Sequence, residues 1–253
     1  MTWISKRLSA LLGRFGYVRL KHITYNADGL ITGSRNVSFL RDGRFMDAYR
    51  HGMFSGHLIG GKPSTDLHIE WRVAVCCWAA QHGTRLAGDF VECGVNTGIL
   101  SLAVCKYTGF NDLNKSFYLF DTFAGIPELQ MSEDERTDRV GSNMKYPDCY
   151  ELAQHNFRQF PRARLVRGVV PESLSMAQID RVAYLSIDMN IAYPERKAIE
   201  YFWPKLSTGA IVVLDDYGWH RYEAQKETMD EFARSVGVEV LTLPTGQGLM
   251  VKP

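Results

Sequence analysis

Carboxylates recur in this sequence at the ends of short apolar runs, where they could bind a cation. Asp188 closes "YLSID", and Asp215 and Asp216 close "IVVLDD". Clustered carboxylates repel one another unless a proton or a cation neutralises them, and hard oxygen ligands suit Mg²⁺ or a similar divalent ion. We therefore predict that Asp188, Asp215 and Asp216 bind a divalent metal. The alternative is that Asp216 caps the following helix and Asp188 merely ends a strand.

A fourth carboxylate lies in "DFVECGVNTGILS", which is typical of a strand that turns through a glycine loop into a helix. A dinucleotide loop has the pattern GxGxxG, but Glu92 and Thr97 occupy its first and third glycine positions, and the P-loop pattern is also missing. Glu92 would repel a pyrophosphate. It would attract the amino group of a cationic nucleotide such as S-adenosylmethionine, while Gly94 and Gly98 allow close backbone approach. The alternative is that Glu92 is a solvated strand-end residue and Gly94 only forms a turn.

Further parts of a donor site follow the next two apolar runs. Asp121 closes "YLFD", 23 residues after Gly98, where its two oxygens can accept hydrogen bonds from ribose hydroxyls. Arg167 and Gly168 end the third predicted strand and would border an adenine. The predicted donor-binding set is Glu92, Gly94, Gly98, Ser101, Asp121, Arg167, Gly168 and Asp188.

Removal of a proton from an acceptor hydroxyl requires a base near the metal. His220 follows Asp216 by four residues, and an imidazole has a pKa suited to accepting a proton near neutral pH. We predict His220 and Asp188 as catalytic residues; a surface histidine near a helix start is the alternative for His220. Arg72, on an earlier helix, could reach the donor or the acceptor, although an ion pair is the commoner role. The polar connection over 124–147 predicts either a lid or a plain surface loop.

Predicted strands and helices alternate from about residue 64 onward. This order is typical of a Rossmann-like α/β fold, whose mostly parallel sheet is covered by helices on both faces and binds ligands at the carboxyl ends of its strands. Strands are predicted over 89–94, 116–123, 163–168, 182–190 and 210–218, with two more within 238–253. Helices are predicted over 67–83, capped by Ser64 or Asp66, and over 98–109, 148–160, 194–206 and 222–237.

The first 63 residues form a predicted extension, helical or irregular, which would serve in oligomerisation or as a substrate lid. A short helix is predicted at 44–54. An apolar stripe near the start predicts a helix that packs on its own domain or on a second subunit, so we expect a homo-oligomer. The stripe comprises Trp3, Ile4, Leu8, Leu11, Leu12 and Phe15. Residues 64–253 form the second predicted domain.

Composition narrows the class of protein. A formal net charge of +1 provides no field that would attract nucleic acid, and the sequence contains no run of 18 apolar residues that would predict a transmembrane helix. Five cysteines without a secretory signal or a metal-ligand spacing indicate reduced thiols. We therefore expect a cytoplasmic protein that binds no nucleic acid and has no transmembrane segment.

Five segments taken together resemble the macrocin O-methyltransferase (TylF/MycF) family of class I methyltransferases. They are "GDFVECGVNTGILS", "YLFDTFAGIPE", "LSIDMNIAYPE", "AIVVLDDYG" and "LPTGQGLMVKP", and the resemblance covers about residues 65–253. It implies a seven-stranded methyltransferase sheet, S-adenosylmethionine, Mg²⁺, and O-methylation of a sugar hydroxyl in a natural product or glycan. By the same match, Glu92, Gly94 and Asp121 would bind the donor. Asp188, Asp215 and Asp216 would bind the metal.

One segment departs from the family pattern. Many members have Asp-Gly-Asp where this chain has Asp188-Met189-Asn190, and Asn190 could bind a metal only through an uncharged carbonyl oxygen. The difference indicates a distinct branch, whose substrate need not be a macrolide sugar. Two other functions stay open. One is a SAM-binding protein with altered catalysis, and the other is a nicotinamide-dependent oxidoreductase, which Glu92 and Thr97 disfavour.

Overall fold

The computed structural model describes residues 22–59, 62–63, 65–137 and 146–253. Two hairpins precede the main sheet, formed by β1 (Ile23–Ala27) with β2 (Leu30–Gly33) and by β3 (Leu58–Ile59) with β4 (Lys62–Pro63). The main sheet comprises β5 (Asp89–Cys93), β6 (Phe117–Asp121), β7 (Ala163–Arg167), β8 (Val182–Ile187), β9 (Leu206–Leu214), β10 (Leu241–Thr242) and β11 (Gly248–Val251).

The main sheet has the strand order β10-β11-β9-β8-β5-β6-β7. Strands β5 to β9 run parallel, while β11 and β10 add to the β9 edge in antiparallel pairs. The predicted Rossmann-like, mostly parallel seven-stranded sheet is thereby confirmed. The chain continues from β5 to β6 and β7 on one side and to β8 and β9 on the other, so the order reverses between β5 and β8. Ligands of such sheets bind at the carboxyl ends of the strands beside the reversal.

Helices cover both faces of this sheet. They are α1 (Gly43–Met53), α2 (Glu70–Gly83), α3 (Ile99–Thr108), α4 (Tyr150–Phe157), α5 (Ala192–Phe202) and α6 (Glu223–Ser235). Along β5, Phe90 packs in one hydrophobic layer with α1 to α4, whereas Val91 and Cys93 pack in the other with α5 and α6. Burial on both faces explains why this strand is apolar almost throughout. None of the helices within the described ranges is long and apolar enough to cross a membrane.

The start of α2 differs from the prediction. Capping by Asp66 is wrong, because α2 begins at Glu70 and its N-cap residue is Ile69, which makes no side-chain cap bond. Asp66 instead accepts a hydrogen bond from the Tyr49 hydroxyl on α1. The other predicted cap, Ser64, lies outside the described residues. The sequence pattern predicted helix α2. Asp66 bonds to Tyr49 of α1 and does not cap that helix.

Part of the N-terminal extension packs closely on the α/β core. An added Cβ atom at Gly52 of α1 would lie 2.2 Å from the carbonyl oxygen of Ile99, so only glycine permits the approach of α1 to α3. The described part of the extension contains two hairpins and α1, and is therefore more regular than predicted. The apolar stripe over 3–15 lies outside the described residues. The domain boundary at residue 63 and the oligomeric state remain predictions.

Candidate active site

A cavity of about 490 Å³ opens where the strand order reverses, at the carboxyl ends of the parallel strands. Its volume is within the range of small-molecule sites. Predicted site residues that line it are Glu92, Gly94, Asp121, Gly168, Asp188, Asp215 and Asp216. Predicted residues outside its lining are Gly98, Ser101, Arg167 and His220. The sheet thus brings together carboxylates that lie far apart in the sequence.

Two glycines shape the β5–α3 loop. Gly94 has a φ of +88°, and an added Cβ atom would lie 1.8 Å from the carbonyl oxygen of Asp188. A side chain here would push the loop away from β8. Gly98 is the N-cap residue of α3, and an added Cβ atom would lie 2.6 Å from the ring of Phe157. Gly98 therefore serves packing and the helix start, and its contact with a donor remains a prediction.

Glu92 is 1% exposed although it lines the cavity. The alternative of a solvated strand-end residue is therefore wrong. Its Oε2 atom has no hydrogen-bond partner in the described part of the chain. Burial raises the pKa of this carboxyl well above its ordinary value; the Ser101 hydroxyl opposes part of the rise, and Asp188 and Asp121 add to it. A buried oxygen without a partner is unfavourable, and an ammonium group in the cavity would supply both the charge and the hydrogen bond.

Asp121 fixes the β5–α3 loop from the end of β6. Its Oδ2 atom accepts hydrogen bonds from the amides of Val95 (2.5 Å) and Asn96 (2.7 Å), and Oδ1 accepts one from the amide of Phe123 (2.6 Å). These backbone donors occupy most of the roughly four lone-pair positions of a carboxylate. Asp121 therefore positions the loop, and its bond to ribose hydroxyls remains a prediction.

Asp188, Asp215 and Asp216 meet at the ends of β8 and β9, and we call these three residues the acidic edge. Each offers one carboxylate oxygen, and the three oxygens lie within 4.8 Å of one another. Burial raises the pKa of Asp188 to about 7, the charge of Asp216 adds to the rise, and Arg72 opposes it. The acidic edge thus combines oxygen ligands with an excess of negative charge, which suits a divalent cation.

Arg72 on α2 neutralises part of the acidic edge. Its guanidinium forms an ion pair with Asp215, in which Nε lies 3.3 Å from Oδ1, and its Nη2 lies 3.5 Å from Oδ1 of Asp216. The buried amide of Gln247 also donates a hydrogen bond to Oδ1 of Asp215 (2.9 Å). Of the two roles expected for Arg72, the structure shows the ion pair. A metal at Asp215 would share that carboxylate with Arg72 and Gln247.

Asn190 lies in the segment that departs from the family pattern, and it lines the cavity beside Asp188. Its Nδ2 is 3.5 Å from Oδ1 of Asp188, and its Oδ1 accepts a hydrogen bond from the Tyr222 hydroxyl (3.1 Å). The carbonyl oxygen, which is the atom that could bind a metal, is therefore engaged with Tyr222. A neutral amide thus separates the acidic edge from this tyrosine.

Asp28 is a cavity residue that the sequence interpretation missed. It lies at the tip of the β1–β2 hairpin and lines the cavity, and burial raises the pKa of its carboxyl. The hairpin is anchored by Tyr25, whose hydroxyl donates to Oε2 of Glu70 (2.8 Å), and an added Cβ at Gly29 would lie 3.6 Å from the Trp219 ring. The pattern "NADG" predicts the turn, but it carries no information about where the hairpin docks.

His57 is a second missed residue. It is 1% exposed and lines the cavity, and its Nε2 atom has no hydrogen-bond partner among the described residues. Burial lowers the pKa of its imidazole. The surrounding "SGHLIGGKPS" predicts only a glycine-rich turn, so no local signal marked this histidine.

Two predicted residues lie at the periphery. The His220 side chain is 90% exposed, and its Nδ1 lies 3.2 Å from Oε1 of Glu223. Arg167 pairs with Asp148, and its guanidinium lies 4.9 Å from the centre of the Tyr150 ring. Neither side chain lines the cavity. The base role of His220 and the adenine contact of Arg167 therefore remain predictions.

Comparison with known proteins establishes the family. The family model described as macrocin-O-methyltransferase (TylF) matches residues 76–241. This chain belongs to that family. The resemblance to that family is thereby confirmed, and the matched region includes β5 to β9, the acidic edge and four of the five motifs.

Curated relatives have low sequence identity to this chain. Demethyldecarbamoylnovobiocin O-methyltransferase of Streptomyces niveus is 27% identical over 145 residues, which cover 53% of this chain and 55% of that protein. The 8-demethyl-8-(2,3-dimethoxy-alpha-L-rhamnosyl)-tetracenomycin-C 4'-O-methyltransferase of Streptomyces olivaceus is 25% identical over 163 residues, 60% of each chain. The chain thus spans little more than half the length of these relatives. The structure of the O-methyltransferase NovP aligns with a TM-score of 0.65 at 20% identity, over 81% of this chain and 87% of that chain, which shows a shared fold.

Proposed function

We propose that this protein is an O-methyltransferase that uses S-adenosylmethionine and a divalent cation, Mg²⁺ or a similar ion, to methylate a hydroxyl group. The observation that carries the proposal is the buried Glu92, whose Oε2 lacks a partner among the described residues and which lines the same cavity as the acidic edge. A pyrophosphate would place negative charge beside this carboxylate. The methyl donor brings an ammonium and a sulfonium instead, and membership of the family supports the same donor.

The donor side of the cavity, which includes Glu92, Gly94 and Asp121, would position the methyl donor. Bound S-adenosylmethionine supplies an electrophilic methyl group, and its in-line transfer depends mainly on how the two reactants are held. Glu92 would accept a hydrogen bond from the ammonium. Asp121 fixes the β5–α3 loop through Val95 and Asn96. Gly94 lies against the end of β8, so the donor side adjoins the acidic edge.

The acceptor side of the cavity contains the acidic edge. Asp188, Asp215 and Asp216 would hold the cation, which when bound polarises a hydroxyl oxygen as a Lewis acid. Asp28 and the neutral side chain of Asn190 also line the cavity and offer hydrogen bonds to an acceptor with several hydroxyl groups. His220, the predicted base, has a 90% exposed side chain and does not line the cavity, so we do not assign it the removal of the acceptor's proton.

The acceptor class is proposed from the relatives. The Streptomyces olivaceus relative is named for 4'-O-methylation of a rhamnosyl compound. This supports a sugar hydroxyl in a natural product or glycan as the acceptor for the present chain. The cavity lining combines carboxylates with apolar residues such as Phe123 and Ile126, which suits a sugar attached to an apolar body.

A SAM-binding protein with altered catalysis is the second candidate. The observation that favours it is the pairing of Asp215 with Arg72, together with the engagement of the Asn190 carbonyl oxygen by Tyr222. Both contacts occupy oxygens that a metal would need. Metal affinity therefore separates the two candidates.

The test is calorimetric titration with S-adenosylhomocysteine, with and without Mg²⁺, and with NAD⁺ as the control. We expect the methionine-derived nucleotide to bind and NAD⁺ not to bind. Binding of NAD⁺, or of neither ligand, would contradict the proposed donor.

Methyl transfer is then measured from labelled S-adenosylmethionine to a panel of rhamnosylated natural products, before and after exhaustive chelation. We expect chelation to remove activity and Mg²⁺ to restore it. Full activity after chelation would contradict the role of the metal. Nucleotide binding without Mg²⁺ binding and without transfer would favour the second candidate.

A further inference from the structure

We infer that His57 and the first turn of α3 together bind the carboxylate of the methyl donor. The donor's amino-acid end would then be held from two sides, with its ammonium at Glu92 and its carboxylate at His57. This inference rests on the proposed function, because it concerns the same donor. It assigns a specific binding role to a histidine of the N-terminal extension, outside the matched family region of residues 76–241.

The first observation is the isolation of the His57 ring nitrogen. The residue is 1% exposed and lines the cavity, yet Nε2 has no hydrogen-bond partner among the described residues. A buried polar atom without a partner is unfavourable and calls for a ligand or another explanation. Because His57 lines the cavity, we infer that a group bound there supplies the missing hydrogen bond.

A short chain of hydroxyls connects His57 to the β5–α3 loop. Its Nδ1 lies 3.4 Å from the Oγ of Ser55, and that Oγ lies 2.8 Å from the Oγ1 of Thr97. Asn156 donates hydrogen bonds to the carbonyl oxygens of both Ser55 (2.8 Å) and Thr97 (2.9 Å) and so holds the two segments together. When the Ser55 hydroxyl donates to Nδ1, Nε2 carries the proton and acts as the donor atom.

The second observation is the start of α3. This ten-residue helix begins at Ile99 after the N-cap residue Gly98, with no side-chain cap and no acidic residue in its first turn. Amides in the first turn of a helix have no partner within the helix and carry a partial positive charge, which suits an anion. Ile99 and Leu100 line the same cavity as His57. His57 and the start of α3 therefore line the same cavity.

Acidic residues elsewhere in the cavity disfavour other positions for a carboxylate. The lining includes six acidic residues: Asp28, Glu92, Asp121, Asp188, Asp215 and Asp216. Among the described residues that line the cavity, Arg72 is the one Lys or Arg, and it is paired with Asp215. A donor carboxylate therefore needs neutral hydrogen-bond donors away from the acidic edge. His57 and the start of α3 meet that requirement, and lowering of the His57 pKa by burial makes its ring a neutral donor.

The experiment compares two donors that differ only in the carboxylate. Calorimetric titration without acceptor measures the Kd of S-adenosylmethionine and of decarboxylated S-adenosylmethionine, which keeps the sulfonium and the amino group. For His57→Leu we expect an increase of about tenfold or more in the Kd of S-adenosylmethionine and a change of less than about twofold for the decarboxylated compound. His57→Gln keeps an N–H donor near the Nε2 position and should stay within about threefold of the wild type for both compounds.

His51→Leu is the matched control. His51 also has a buried Nε2 without a partner among the described residues and a pKa lowered by burial, but it lies on α1 against Phe160 and does not line the cavity. Its substitution should leave the ratio of the two Kd values unchanged.

Three results would overturn the inference. Equal losses for both compounds in His57→Leu would show that the ring only shapes the fold, and no loss would show that the ring has no role. Failure of the wild type to bind either compound would instead overturn the proposed function, and this inference with it. Retained binding of the decarboxylated compound also shows that the leucine variant is folded.

Discussion

The two sides of the cavity differ in whether a buried carboxylate has a partner within the protein. On the donor side, Glu92 is buried, and its Oε2 lacks a partner in the described chain. On the acceptor side, Asp215 is paired with Arg72 and bonded to Gln247. A buried carboxylate without a partner is unfavourable in the free protein and becomes favourable when a cation binds, whereas one paired with arginine needs no ligand to keep its geometry. The donor side is therefore built around an incoming cation, while the acidic edge holds its shape by itself.

This contrast predicts that donor binding and turnover can be separated by mutation. Asp216→Ala should lower methyl transfer by about 100-fold or more, because it removes a ligand of the cation that polarises the acceptor. The same variant should change the Kd of S-adenosylhomocysteine by less than about threefold, since Asp216 is not part of the donor set. Glu92→Gln should do the reverse at the binding step and weaken S-adenosylhomocysteine by about tenfold.

Calorimetry and a labelled-methyl assay measure the two effects on the same preparations. Each of the two variants, Glu92→Gln and Asp216→Ala, serves as the control for the other. Full activity of Asp216→Ala would remove the metal from the proposal. Equal effects of both substitutions on donor binding would mean that the two sides are one electrostatic unit, and the comparison would fail.

The next largest effect is expected on the free energy of unfolding when Arg72 is replaced. Arg72→Met leaves the buried Asp215 carboxylate without its cation, and breaking a buried pair in this way should lower the free energy of unfolding by about 3 kcal/mol in the presence of a chelator. Mg²⁺ should recover part of that loss, because a divalent ion can replace the missing charge. Urea denaturation with EDTA and with Mg²⁺ measures both terms.

A matched control uses an arginine outside the cavity. Arg44 donates to the carbonyl oxygen of Tyr107 (2.8 Å) and lies over its ring, in an exposed position. Arg44→Met should lose less stability and gain none from Mg²⁺. An Arg72 variant that Mg²⁺ does not stabilise would mean that the acidic edge holds no cation.

The sequence predicted the acidic edge and the donor loop because both depend on local pattern and on one general rule. Apolar runs that end in Asp188 or Asp215 predict parallel strands, and the carboxyl ends of parallel strands lie on one edge of the sheet. No knowledge of the rest of the fold is needed for that step. Gly94 and Glu92 follow from the same strand.

The remaining cavity residues could not be predicted because they depend on contacts between distant segments. Asp28 reaches the cavity through a hairpin that Tyr25 anchors to Glu70 of α2. His57 reaches it because α1 packs on α3 through Gly52. A turn pattern fixes the conformation of a few residues and says nothing about where the turn docks. Burial of Glu92 likewise comes from its neighbours in the sheet, so its sequence position alone left solvation open.

Glu195, a buried carboxyl on α5 that interacts with the acidic edge, allows the comparison to be tested through the pH dependence of stability. Burial raises the pKa of Glu195 to about 8, and the charges of Asp216 and Asp188 add to the rise. Since the folded protein holds this proton more tightly than the unfolded chain, the free energy of unfolding should fall as pH rises from the ordinary value of 4.5 to about 8. Glu195→Gln should remove part of that slope and be more stable than the wild type at alkaline pH by about 2 kcal/mol.

Denaturation curves at several pH values, with EDTA or Mg²⁺, measure this slope. Asp188, with a pKa of about 7, contributes to the slope of both proteins, so the difference between them reports mainly Glu195 and should be largest above about pH 8. A cation at the acidic edge should lower the pKa of Glu195 and flatten the curve of the wild type. An equal slope in the variant and the wild type would show that Glu195 titrates normally.

The smallest effect is expected for His220, which tests where the acceptor side ends. Its side chain is 90% exposed and bonded to Glu223, so His220→Ala should change kcat by less than about threefold. Asp28→Asn, at the hairpin tip inside the cavity, should instead raise the KM for the acceptor by about tenfold, because an amide cannot accept as many hydrogen bonds from hydroxyls. A loss of about 100-fold in kcat for His220→Ala, with removal of the acidic limb of the pH profile, would identify His220 as the base. It would also mean that the loop over 217–222 closes on the cavity and that the acceptor side extends beyond the acidic edge.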